Sequence, residues 1–266
     1  MIRRGFLLAA LLMSSGVHAQ EGIVRLHAAG SLRAVMTEMA QSFQTYGGGE
    51  VKATFGASGL LRERIEKGEG ADVFASADVR NAQRLADARR SRPPNVFARN
   101  QLCALAGPGV EIAENTLLDR MLDPALKLGT STPKADPSGD YAWQMFEKAE
   151  KIRPGAYATL DRKALKLTGG ADSPQPPPDR SVYGVLIAER KADIFLTYCT
   201  NAVVATQEVP GSRMLTLPTV LAVGASYALV VMADAGPAAQ RFALFILSVP
   251  GQSILARHGF TPVAAP

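Results

Sequence analysis

Two serines stand where a negatively charged ligand can be held. Ser31 lies in His27-Ala28-Ala29-Gly30-Ser31-Leu32, and Ser58 in Phe55-Gly56-Ala57-Ser58-Gly59-Leu60. Each stretch follows an apolar, strand-like run, Ile23 to Ala28 and Val51 to Phe55, and gives way at once to helical periodicity. A serine on a turn of small residues between strand and helix sets its hydroxyl beside the unpaired N–H groups of the helix's first turn. Those donors, and the helix dipole, favour an anion. Serine is also a common N-cap, so either junction alone reads as capping. Two in succession point to one ligand gripped from two sides.

Other chemistries find less support. His27 and His258 are scattered, and no His/Cys/Asp/Glu cluster has zinc-like spacing, so a catalytic metal is not expected. A secreted hydrolase is the weaker alternative. Gly56-Ala57-Ser58-Gly59 lacks the Gly-x-Ser-x-Gly nucleophile elbow, His27 lies inside the first strand in a chain order that fits no familiar Ser–His–acid arrangement, and His258, near the C-terminus, has no matched acid evident. The two cysteines, Cys103 and Cys199, both lie in strand-like segments. An oxidising compartment permits a disulfide between them; two buried free thiols are the other reading.

The elements that must position the serines follow from the rest of the chain. Arg3 and Arg4 precede an apolar stretch from Gly5 to Met13, and small residues end at Val17-His18-Ala19. This is a secretory signal spanning residues 1–19, cleaved before Gln20, and its apolar part is too short to span a membrane. The 266 residues are 47% hydrophobic, enough for one large or two modest domains. The formal charge of +5 falls to +3 without Arg3 and Arg4, which does not predict nucleic-acid binding.

From Ile23 the pattern alternates strand and helix. Leu32, Val35, Met36, Met39 and Phe43 share a helical face that ends at Gly47-Gly48-Gly49. A strand runs from Ala71 towards Asp78, another from Gln101 to Ala106, and Lys127 to Thr130 reads as a third. Asp136-Pro137-Ser138-Gly139-Asp140 opens a helix carrying Tyr141, Ala142 and Trp143. The proline-rich stretch Ser173 to Asp179 yields at Arg180-Ser181 to a helix reaching about Arg190, and Ala192 to Tyr198 is a buried strand. Tyr227 to Met232 reads as a strand. Phe242, Phe245, Ile246 and Val249 form a helical stripe broken by Pro250-Gly251, and a last short helix ends at His258-Gly259-Phe260.

In this order the motifs resemble the periplasmic molybdate-binding proteins of ABC importers, over essentially the whole mature chain. The resemblance rests on Ala28-Ala29-Gly30-Ser31-Leu32, Gly56-Ala57-Ser58-Gly59, Ala71 to Asp78, Asp136 to Ala142, the Ala192 to Tyr198 strand and the ending Gly251-Gln252 to Phe260. It implies an α/β fold of the two-lobed type II periplasmic binding-protein kind. Each lobe would be a mainly parallel sheet flanked by helices, and two strands would form the hinge. One lobe would comprise residues 20–101 and 227–266, the other residues 102–226. The implied ligand is a tetrahedral oxyanion, molybdate or tungstate, lying between the lobes. The implied partner is the importer's membrane permease, and the implied state is a monomer in the periplasm, with no cofactor and no directly ligated metal.

The resemblance also implies a donor set without fixed counter-charge: the hydroxyls of Ser31, Ser58 and Tyr198, the amide of Ala142, and an amide of the helix that begins near Arg180. A desolvated dianion needs many such hydrogen bonds. Arg180 departs from the family, which usually has valine there. A guanidinium beside the anion would broaden selectivity; the alternative reading keeps its head in water. Tyr198 by itself also reads as a buried tyrosine bonded to backbone. A same-fold binder of sulfate, phosphate or a small organic acid stays open, because fold does not fix function.

Overall fold

The computed structural model describes residues 22–174, 177 and 180–264. The signal segment expected at residues 1–19 lies outside them. The N-terminal part is built from β1 (Val24–Ala29), α1 (Arg33–Thr45), β2 (Val51–Gly56), α2 (Ser58–Glu66), β3 (Val73–Ser76) and α3 (Val79–Asp87). A single 3-10 turn, Gly30–Leu32, joins β1 to α1. The three strands are parallel in the order β2–β1–β3, Val24 opposite Val51 and Leu26 opposite Val73. Val35, Met36, Met39 and Phe43 of α1 are buried, as their helical spacing predicts.

The chain then enters β4 (Asn95–Ala106), whose 12 residues serve two sheets. Its first half pairs antiparallel with β9 (Gly224–Val231), which also borders β3. Its second half pairs antiparallel with β7 (Ile194–Tyr198) on one side and β8 (Arg213–Thr216) on the other. The changeover falls at Gln101 and Leu102, where the Leu102 N–H donates to the Val223 carbonyl at 3.0 Å. Beyond it, β5 (Leu128–Ser131) and β6 (Leu165–Thr168) extend the second sheet in the parallel order β7–β5–β6. The antiparallel pairs of this mixed fold thus involve β4, β8 and β9, together with β10 (Thr261–Pro262), which closes on β4.

The second sheet carries α4 (Leu117–Leu122), α5 (Pro137–Ile152), α6 (Ala156–Lys163), α7 (Val182–Ala188) and α8 (Cys199–Glu208). The C-terminal α9 (Pro237–Leu247) and α10 (Val249–Arg257) return to the first sheet, where Phe242 and Ile246 join the core around Leu26 and Met36.

Several elements differ from their sequence expectation. The strand expected from Gln101 begins at Asn95, because its first half alternates exposed and buried residues and so carries polar Asn95, Arg99 and Gln101. The strand expected from Tyr227 begins at Gly224. The C-terminal stripe breaks at Ser248, whose hydroxyl caps α10, while Pro250 sits in that helix's first turn, where a missing N–H costs nothing. Cys199 opens α8 rather than lying in a strand, and it is bonded to Cys103 of β4.

Candidate functional site

The C-terminal ends of β1, β2 and β3 face the same way and deliver three turns to one edge of the first sheet. Ser31 stands on the turn after β1, where its Oγ lies 3.0 Å from the Tyr227 hydroxyl of β9. Ser58 is the first residue of α2 and is buried. Its Oγ accepts the Ala77 N–H from the end of β3 at 3.1 Å, which leaves the hydroxyl its own proton to donate. Asp78 caps α3, accepting from the Asn81 N–H at 3.0 Å.

The second sheet contributes the ends of β5 and β7, which are parallel neighbours. Tyr198 ends β7. Its ring lies 5.5 Å from that of Tyr227 and 6.2 Å from that of Tyr141 on α5. The Tyr141 hydroxyl donates across to the Ala77 carbonyl at 3.4 Å. Ser31 and Ser58 are therefore each linked to Tyr198, one through Tyr227 and the other through Ala77 and Tyr141. Two hydroxyls in this region are buried without a hydrogen-bond partner: Tyr198 OH and Ser138 Oγ, the latter in the first turn of α5. Such groups normally find a partner, so each is suited to a ligand atom. Burial raises Tyr141, Tyr198 and Tyr227 above the ordinary tyrosine range, which keeps all three neutral donors.

Two of the expected contacts involve groups that are engaged within the protein itself. Ala142 is buried, but it is the sixth residue of α5, so its N–H belongs to the helix's own i→i−4 ladder. The helix starts at Asp136-Pro137, a cap followed by a proline. Its first-turn amides are those of Ser138 and Gly139, and the side chain nearest the start is Ser138. Arg180 is held by Glu208. Its Nε donates to Glu208 Oε2 at 3.1 Å, and the Ser181 N–H donates to Glu208 Oε1 at 2.8 Å. The guanidinium and the amide beside it share one carboxylate, and the side chain is 47% exposed.

The sequence reading also did not single out Tyr227, Ser138 or Asp136 as site residues. Asp136 Oδ1 accepts the Ser138 N–H at 3.0 Å. Enclosure of its carboxyl pushes Asp136 up to about 6, against the pull of hydrogen bonds from Ser138 and Ser131, and Asp140 and Asp78 add to the rise.

The two sheets' turns meet closely. The Gly59 N–H donates to the Ala135 carbonyl at 2.9 Å, and a Cβ at Gly59 would lie 2.4 Å from the Lys134 carbonyl oxygen. Only glycine allows this approach. Arg80 of α3 pairs with Asp140 of α5 and lies 3.5 Å from Asp78. Beside them a cavity of about 350 Å³ is lined by Asp78, Arg80, Asp140, Tyr141, Gln144 and Ser226. The Cys103–Cys199 disulfide, Cα to Cα 4.9 Å, ties β4 to the residue next to Tyr198. Among the described residues, no group of three or more His, Cys, Asp or Glu is placed to hold a metal ion, and no helix is long and apolar enough to cross a membrane.

Residues 24–261 match the family described as bacterial extracellular solute-binding protein. The chain belongs to that family. An uncharacterized protein of Pasteurella multocida (strain Pm70) is 37% identical to this solute-binding protein over 183 residues, 67% of this chain and 74% of that one. The molybdate-binding protein ModA of Escherichia coli (strain K12) is 26% identical over 194 residues, 70% of this chain and 68% of its own. Among solved structures, the sulfate-binding protein SubI of Mycobacterium tuberculosis H37Rv superposes with a TM-score of 0.75 at 18% identity, covering 91% of this chain and 87% of that one. At that identity the likeness speaks for the fold, that of the type II periplasmic binding proteins.

Proposed function

We propose that this solute-binding protein takes a tetrahedral oxyanion, molybdate or tungstate, from the periplasm and hands it to the membrane permease of an ABC importer. The observation that carries this reading is the pair of buried, unpartnered hydroxyls, Tyr198 OH and Ser138 Oγ, with Tyr198 linked to Ser31 through Tyr227 and to Ser58 through Tyr141 and Ala77. A dianion stripped of water needs many donors, and a ring of hydroxyls supplies them without a fixed cation. Arg180, bonded to Glu208, adds no counter-charge to that ring. A neutral cage selects by geometry, because a protonated oxyanion brings a donor that must find an acceptor. The likeness to a molybdate-binding relative supports the same ligand.

A role as hydrolase has no matching geometry. Ser31 Oγ contacts a tyrosine and Ser58 Oγ accepts a backbone N–H, whereas His27 and His258 lie against Glu69 and Glu38. Sulfate is the second reading, since it is likewise a tetrahedral dianion and the fold does not fix the ligand. Thermal melts of ligand-stripped protein separate the two. A ligand at about 100 times Kd adds about 2.7 kcal/mol, hence roughly 5–10 °C for a chain of this size. Molybdate and tungstate are expected to give that shift, with sulfate and phosphate well below it. Equal shifts would favour a broader oxyanion binder, and no shift with any of the four would end the oxyanion reading.

A further inference from the structure

We infer that Asp136 couples anion binding to proton uptake: its carboxylate, at the start of α5, takes a proton when a dianion enters the cleft, so the oxyanion is held more tightly at acid pH. The inference rests on the oxyanion reading above and adds to it a residue that sets affinity.

The carboxylate stands at the start of α5, next to the residue whose unpartnered hydroxyl the proposed ligand would meet. Asp136 Oδ1 accepts the N–H of Ser138, the residue whose buried hydroxyl has no partner. On its other side the side chain lies against the Gly169 backbone, where an added Cβ would be 2.5 Å from Oδ2. The carboxylate also occupies the positive end of the helix that an anion in the cleft would share.

The groups that act on Asp136 do not neutralise it. On its own helix stands Asp140, and across the cleft stands Asp78, whose oxygens are engaged by Ser76 and Asn81. From α7 and β7 come Tyr183 and Tyr198, both kept neutral by burial, with Tyr183 pushed up to about 12. Arg80 pairs with Asp140 and Asp78. Ser131, which also bonds Thr168, contributes only a hydroxyl.

Asp136 thus titrates at about 6 before any anion arrives. A dianion adds negative charge to the same enclosed crevice and raises that value further. Linkage then gives the sign. Affinity is greatest below about pH 6, falls as pH rises from there to the higher value set by the bound anion, and is flat beyond. Helix capping does not itself require an ionisable group, since asparagine caps as well as aspartate.

The test is calorimetric titration of micromolar molybdate, which stays a dianion throughout, into ligand-stripped wild type, Asp136→Asn and Asp140→Asn. Measurements run from about pH 5.5 to about pH 8, in paired buffers of different ionisation heat, so that bound protons are counted. Wild type should take up a proton near pH 6.5 and lose about tenfold in affinity across the range, and Asp140→Asn, which takes away one of the negative charges that raise Asp136, should still take up a proton but at lower pH. Asp136→Asn should take up none and change by less than about twofold. Binding without proton uptake in wild type, or a pH slope that survives in Asp136→Asn, would overturn the inference and leave the oxyanion reading standing. Failure of wild type to bind molybdate, tungstate, sulfate or phosphate would remove both.

Discussion

Replacing Tyr198 with phenylalanine removes one oxygen and little else. The ring keeps its contacts with Tyr227 at 5.5 Å and Tyr141 at 6.2 Å, and the residue is 2% exposed, so packing is preserved. The lost hydroxyl is one that has no partner in the protein. Donated to a desolvated dianion, it is worth about 1.5–3 kcal/mol, which is about 10- to 150-fold in Kd. Without ligand the sign reverses. A buried unpaired hydroxyl costs about 1–3 kcal/mol, so its removal relieves the ligand-free protein. Each kcal/mol counts for roughly 2–4 °C in a chain of this length. Calorimetric titration with molybdate should therefore show weaker binding by Tyr198→Phe, while the ligand-free melting temperature holds or rises. Unchanged affinity would refute the assignment of Tyr198 to the ligand. Weaker binding together with a lower ligand-free melting temperature would make the hydroxyl a structural group instead.

Three further outcomes follow from the same geometry. Gly59→Ala places a Cβ 2.4 Å from the Lys134 carbonyl, so it should obstruct the approach of the two lobes and weaken molybdate binding by more than about tenfold, with no ligand-induced compaction in small-angle scattering. Arg180→Ala should change Kd by less than about twofold, because its guanidinium is held by Glu208; a larger loss would return Arg180 to the ligand. Asp136→Asn should flatten the pH dependence of affinity, which in wild type falls as pH rises above about 6.

What could be read in the sequence was local. Ser31 and Ser58 follow strands and precede helical periodicity within a few residues, and the structure places both at such junctions. The start of α5 was equally legible in Asp136-Pro137, yet family resemblance directed attention to Ala142, inside the helix. The cap and the proline put the first turn at Ser138 instead. Long-range partners left no local signal. Ser31 meets Tyr227 across 196 positions, and Glu208 reaches back 28 positions to Arg180. The first half of β4 was hidden for a related reason. Its polar, alternating residues resemble a loop until β9 pairs with them from the far end of the chain.

The central claim is that a neutral hydroxyl cage holds a tetrahedral oxyanion between the lobes. Direct titration of ligand-stripped wild-type protein at constant pH with molybdate, tungstate, sulfate and phosphate tests it most directly. The account predicts one site per chain for molybdate and tungstate, each bound at least about tenfold more tightly than sulfate or phosphate. Sulfate or phosphate bound as tightly as molybdate would contradict the proposed selectivity, and the absence of heat with all four anions would contradict the site itself.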